Sequence, residues 1–220
     1  MQLKLRHFGC DLADRAALAA IIPEVAATVA REAPVGPILL INNSGFGAYG
    51  NFPDPGLPEQ LGMVDVNVRA IVDLTTRLLP LIKSRGGAII SVASVAAFQP
   101  TPYLATYGAT KAFVLNWSVA LGEELRGTGV RTLALCPGPT KTGFFGRAGL
   151  GLGGIEDRMA QPSETVVRAA LHALAAGRSV VVPGWFNRLE TVLGGLLPRT
   201  WVARIAAVMI RRYRLKQGAR

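Results

Sequence analysis

Three short, almost wholly apolar runs, at residues 38–41, 88–94 and 130–135, constrain this chain more than any other feature. A strand that is apolar at every position, rather than at alternate ones, is covered on both faces, and such strands belong to parallel sheets. Between and after these runs, apolar residues recur at helical spacing over 12–31, 59–82, 103–126 and 163–175, with Asp11 placed to cap the first helix. A fourth strand is expected at 179–182, and helical segments follow Asn187. Helices alternating with doubly covered strands define an α/β fold with a parallel sheet and helices on both faces. Ligands in such sheets sit beyond the C-terminal ends of the strands. That rule selects 42–45, Ser94 and 137–142, each a polar or Gly/Pro stretch immediately after an apolar run.

With 220 residues, half of them hydrophobic and 17% charged, the chain is the size of one domain and is not disordered in composition. The first fourteen residues do not read as a secretory signal, and no apolar run reaches the roughly 18 residues of a spanning helix. Cys10 and Cys136 are far apart, and His7 and His172 each stand alone, which leaves little for a metal site or a disulfide framework; a reducing cytoplasm is the expected setting. The net charge of +10 is concentrated at the end. Residues 185–220 hold eight basic side chains against Glu190 alone, so residues 1–184 are near balance. The division expected is a domain over 1–184 and a basic helical extension over 185–220. Trp201, Ile205 and Val208 fall at helical spacing among arginines. That helix either packs on the domain or a partner subunit, or lies on an anionic membrane surface as a peripheral contact. No nucleic acid partner is expected, since no aromatic stacking pattern or binding motif accompanies the charge.

Tyr107 and Lys111 stand four apart on the expected helix and so share a face. Ser94 precedes Tyr107 by thirteen residues, at a strand end. A nearby ammonium stabilises a phenolate and lowers the tyrosine pKa, while a serine hydroxyl can hold a carbonyl oxygen. Such a set suits proton transfer at a C–O group while a hydride moves elsewhere. With Asn42-Asn43-Ser44-Gly45, Asn67 within Asp65-Val66-Asn67-Val68, Tyr107-Gly-Ala-Thr-Lys111 and Pro137-Gly138, the chain resembles the short-chain dehydrogenase/reductase family in both order and spacing.

The resemblance implies an NAD(P)-dependent oxidoreductase of Rossmann-like fold that interconverts a carbonyl and a secondary alcohol. It implies Tyr107 as acid/base, Lys111 on the nicotinamide ribose, Ser94 on the substrate carbonyl, and Asn67 anchoring a water of the proton relay. Asn42, Ser44 and Gly45 would face the cofactor, Pro137, Gly138 and Thr140 its nicotinamide end, and Asp11 and Leu12 its adenine. NAD(P)(H) is the implied cofactor, with NADP somewhat favoured by the family, and the helices over 59–82 and 103–126 imply a homo-oligomer.

The front of the chain departs from the family. No TGxxxGxG turn precedes Asn42, and residues 3–9 match what is normally the third strand. About fifty residues of the family pattern, the first two strands with their helices and Gly-rich phosphate turn, are expected to be missing. The fold is accordingly an N-terminally truncated one, from a shortened or wrongly started reading frame. Residues 3–8 would then lack a neighbour, and the 38–41 strand would become an exposed apolar edge. A non-catalytic descendant, acting as a binding or membrane-associated module, is the alternative function. Aromatic and aliphatic residues of two loops (Phe46, Tyr49 and Phe52; Phe144, Phe145, Leu150, Leu152 and Ile155) suggest an apolar substrate. Cys136 reads as a small buried residue, and Glu123-Glu124 as a wet helix end.

Overall fold

The computed structural model describes residues 4–149 and 160–215, with side chains to 211. Four parallel strands form one sheet in the order β1-β2-β3-β4: β1 Ile38–Asn42, β2 Gly87–Val92, β3 Val130–Leu135 and β4 Val180–Val181. The register sets Ile41 opposite Ile90, and Ile90 opposite Leu133. The helices are α1 Arg15–Glu32, α2 Leu57–Val64, α3 Ala70–Arg85, α4 Ala105–Glu124, α5 Phe144–Arg147, α6 Ser163–Ala175, α7 Trp185–Leu196 and α8 Arg199–Leu215.

Both faces of the sheet carry a core. On one, Ile38, Leu40, Ile89 and Val130 pack with Ile82 of α3 and with Leu121 and Leu125 at the end of α4. On the other, Ala88, Ile90, Leu133 and Leu135 pack beneath Val166, Ala170 and Leu174 of α6. Ile89 and Leu133 are fully buried, and each such side chain contributes about 2 kcal/mol through burial. Helix α1 does not touch the sheet core; Leu18 and Ile22 pack on Ala70 and Leu74 of α3.

Several boundaries differ from expectation for local reasons. Asp14, not Asp11, caps α1: its backbone is extended and its carboxylate accepts from Ala16 N and Ala17 N, whereas Asp11 accepts from Ala13 N in the preceding turn. The helix expected over 59–82 is instead α2 and α3 joined by a π turn, Asp65–Arg69, and it runs on to Arg85. Strand β2 stops at Val92, so Ser94 lies beyond it and caps a 3₁₀ turn, Val95–Phe98, by accepting from Ala96 N. Residues 4–10 form no strand. Strand β1 is the sheet edge, and Leu39 and Ile41 are 43% and 51% exposed on the α6 side. Among the described residues, β1 thus presents an open edge with exposed apolar side chains.

Candidate active site

A cleft of about 680 Å³ opens at the C-terminal ends of β2 and β3, walled by Val92, Ser94, Tyr107, Lys111, Leu135 and Gly138. Tyr107 and Lys111 come from α4, one turn apart, and both are buried. Ser94 comes from the turn after β2. The three residues singled out by spacing thus meet in one cavity. The Lys111 ammonium lies 5.8 Å from the Tyr107 ring centroid and donates a 2.7 Å hydrogen bond to Val92 O. Phe144 of α5 leans on the Tyr107 ring at 5.3 Å between centroids.

Electrostatically the pair departs from the simple expectation. Burial pushes the Tyr107 phenol up to about 12, only partly countered by its hydrogen bond with Ser94. Burial also lowers Lys111 to about 8, against an opposing pull from Cys136. Burial is thus the dominant influence on both groups. Cys136 is itself fully buried and pushed up to about 12 by burial, which makes it an inert small core residue.

Asn67 is fully buried in the π turn, where it binds both polar groups of the Phe46 backbone and Thr110 Oγ1. It is not part of the cleft wall; it holds the loop that is. Gly45 belongs to that loop, and a Cβ there would meet Asn67 Oδ1 at 3.0 Å and Lys111 Nζ at 3.2 Å. Pro137 and Thr140 line the cleft with Gly138, and Thr140 Oγ1 donates to Gly138 O.

The other expected cofactor positions fall elsewhere. The Asn42 side chain is buried and donates to Thr75 Oγ1 and Ser91 Oγ, leaving Asn43 on the cleft wall. Ser44 is exposed and outside the lining. Asp11 and Leu12 lie beside the π turn, where Arg69 donates to Leu12 O, also away from the cleft. His7 and His172 are exposed, as is the Glu123-Glu124 pair, with Glu123 bridged to Arg126. Of the apolar loop residues, Phe144 and Phe145 line the cleft, while Leu150, Leu152 and Ile155 lie outside the described residues.

Sequence reasoning missed Asn187, whose buried amide packs on Gly138, and the wall formed by Val166, Val167 and Ile210. Asn187 had a signal in the Val-Pro-Gly-Trp-Phe-Asn stretch. Ile210 had none, because its place depends on how α8 returns to the cleft.

A parallel doubly covered sheet with its cleft at the strand ends is a Rossmann-like α/β fold. The family model for short chain dehydrogenase matches residues 2–150, and the chain belongs to that family. It is 39% identical over 108 residues to serine 3-dehydrogenase of Rhizobium radiobacter, covering 48% of this chain and 43% of that protein. It is 40% identical over 106 residues to the ketoacyl reductase HetN of Nostoc sp., covering 47% and 37%. The chain therefore spans less than half the length of these relatives in the matched region. Among solved structures, a short-chain dehydrogenase from Sphingobium yanoikuyae in complex with NADPH superposes with a TM-score of 0.70 at 30% identity, covering 85% of this chain and 72% of that one. No helix among the described residues is long and apolar enough to cross a membrane.

Proposed function

We propose that the chain is an NAD(P)-dependent oxidoreductase that interconverts a carbonyl and a secondary alcohol at the 680 Å³ cleft. The observation that carries this reading is the convergence of Ser94, Tyr107 and Lys111, from two separate elements, on one buried wall. Tyr107, un-ionised at neutral pH, is the proton donor to a carbonyl oxygen in the reductive direction. Ser94 shares the phenol's hydrogen bond and aims a hydroxyl at the same oxygen. Lys111 uses one proton on Val92 O and retains two for a ribose or the phenol.

The residues present fit the nicotinamide-ribose half of such a cofactor. Gly45, Gly138, Pro137, Thr140 and Asn43 line the same space as Lys111 and Tyr107. Bound there, the nicotinamide supplies or accepts the hydride. The chain's own part is to orient the carbonyl, move the proton and exclude water through Phe144 and Leu135. The cleft is mainly apolar, which suits an apolar ketone or alcohol. No Gly-rich phosphate turn lies among the cleft residues. NADP is the favoured form by family, and a reducing cytoplasm is the proposed setting, in keeping with two free cysteines. A homo-oligomer is proposed through the outer faces of α2 and α4, where Leu61, Val64, Phe113 and Val119 are exposed.

The test is a fluorescence titration with NADPH and with NADH, followed by turnover on a panel of apolar ketones. Micromolar binding and hydride transfer support the reading; a folded sample that binds neither overturns it. The exposed Leu39 and Ile41 favour one second reading, a non-catalytic module that docks a partner strand on β1. That module would bind neither nucleotide and would associate through β1, so Ile41→Lys would abolish the association.

A further inference from the structure

The two C-terminal helices each present an exposed apolar stripe. On α7, Trp185, Leu189, Val192 and Leu196 follow at helical spacing and are all exposed, Trp185 by 76% and Leu196 by 75%. On α8, Trp201, Ile205, Val208 and Met209 repeat the pattern, with Trp201 59% and Val208 60% exposed. Each helix buries its opposite side: Asn187 of α7 packs on Gly138, and Val202 of α8 is buried. The exposed side is not a surface awaiting its own domain.

Charge identifies the occupant. Arg199, Arg204 and Arg211 are exposed around the α8 stripe, and residues 185–220 carry eight basic side chains against one acid. Glu190, that one acid, is already engaged by Gln99 Nε2. Pairing this face with a second copy would set like charges against each other across a two-fold axis. A neutral protein groove would leave the arginines unpaired. An anionic lipid surface satisfies both parts, since it takes apolar and indole side chains at the acyl boundary and arginines among the headgroups. At 12 and 17 residues, the helices are too short or too charged to span.

We infer that α7 and α8 lie together in the interface of an anionic membrane and turn the cleft toward it. The connection to the cleft is direct. Ile210 of α8 is part of the cleft wall, one residue from the exposed Met209, and α7 packs through Glu190 on Gln99, just past the turn that follows Ser94. Resting on the oxidoreductase reading, this makes the substrate a lipid-partitioned carbonyl or alcohol that enters from the bilayer past α8.

The test uses the purified full chain, without cofactor or substrate, so its result is independent of the proposed reaction. Vesicles of phosphatidylcholine, alone or doped with phosphatidylserine, are mixed with the chain at low and high salt and pelleted. The expected result is pelleting with the serine lipid only, lost at high salt, with a blue shift of the tryptophan emission. The triple variant Arg199→Gln, Arg204→Gln, Arg211→Gln should weaken partitioning by about a hundredfold, at roughly 1 kcal/mol per basic residue. Leu196→Glu should abolish it while the far-ultraviolet spectrum stays unchanged. No pelleting with either vesicle overturns the inference. So does a dimer that Leu196→Glu dissociates in the absence of lipid, since the face would then belong to a second copy.

Discussion

Asn67 grips both polar groups of the Phe46 backbone: Phe46 N donates to its Oδ1 at 3.0 Å, and Phe46 O accepts from its Nδ2 at 2.9 Å. The second Nδ2 proton goes to Thr110 Oγ1 at 3.0 Å, so one side chain ties the loop after β1 to the π turn and to α4. Asn67→Leu keeps the volume and removes every bond, leaving Phe46 N–H and C=O and the Thr110 hydroxyl with fewer partners. The expected cost is about 3 kcal/mol, read from the urea midpoint. Asn67→Asp, which keeps the acceptor for Phe46 N, should fall between. A midpoint for Asn67→Leu equal to that of the parent would show that the clamp does not hold the loop.

Tyr107→Phe removes one hydroxyl from a ring that stays packed on Phe144. As proton donor, the hydroxyl is worth about 10² to 10⁴ in turnover. The variant should therefore lose activity by that factor while its nucleotide affinity and melting temperature stay close to the parent values. Unchanged turnover would transfer the acid/base role to another group.

Stability should rise with pH above about 8, and the source is Lys111. Burial lowers its pKa from 10.5 to about 8, so between those values the unfolded chain holds a proton that the folded chain has released. Raising the pH through this window favours the fold, by an upper bound of about 3 kcal/mol. Two groups act in the opposite direction. Cys136 is raised from 9.0 and Tyr107 from 10.0, each to about 12, so the folded chain keeps their protons longer and loses stability as pH climbs through 9 to 12. The net curve should rise from pH 8 to about 9 and then fall. Lys111→Met should flatten the rise and leave the fall. A parent curve that only declines from pH 7 upward would contradict the burial of a protonated Lys111.

Much of this geometry was legible in the sequence. The apolar runs located β1, β2 and β3 because most of their side chains pack in the core, although Leu39 and Ile41 stay exposed at the β1 edge and Arg131 of β3 is exposed, and the spacing of Tyr107 and Lys111 placed both on one turn of α4. The first helix cap was misplaced because Asp11 and Asp14 are equally good caps in composition; only the extended backbone at Asp14 decides between them. Asn42 was assigned to the cofactor, but alternation along β1 turns it inward to Thr75 and leaves Asn43 on the cleft. The raised Tyr107 was out of reach for a different reason. Spacing shows that a cation is near, but burial, which dominates the shift, is a property of the packed cleft. Ile210 was invisible because its role depends on the return path of α8.

Gly138 lies against the Asn187 carboxamide so closely that a Cβ would overlap its Oδ1 and Nδ2. Asn187 has little freedom to retreat, since its Nδ2 donates to Pro183 O at 2.7 Å and the side chain is buried. Gly138→Ala should therefore cost about 1 to 3 kcal/mol by overpacking. Because Gly138 lines the cleft, nucleotide affinity should fall with it. Asn187→Ala alone frees the space but leaves Pro183 O without its donor, a loss of about 1 kcal/mol. In the double variant the alanine at 138 has room, so the two losses should fall short of their sum by about 1 kcal/mol or more, the coupling expected of residues in contact. Chemical denaturation of the parent, both single variants and the double variant measures that coupling. Strict additivity would mean that 138 and 187 do not touch, and that the wall between β3 and α7 is built by other residues.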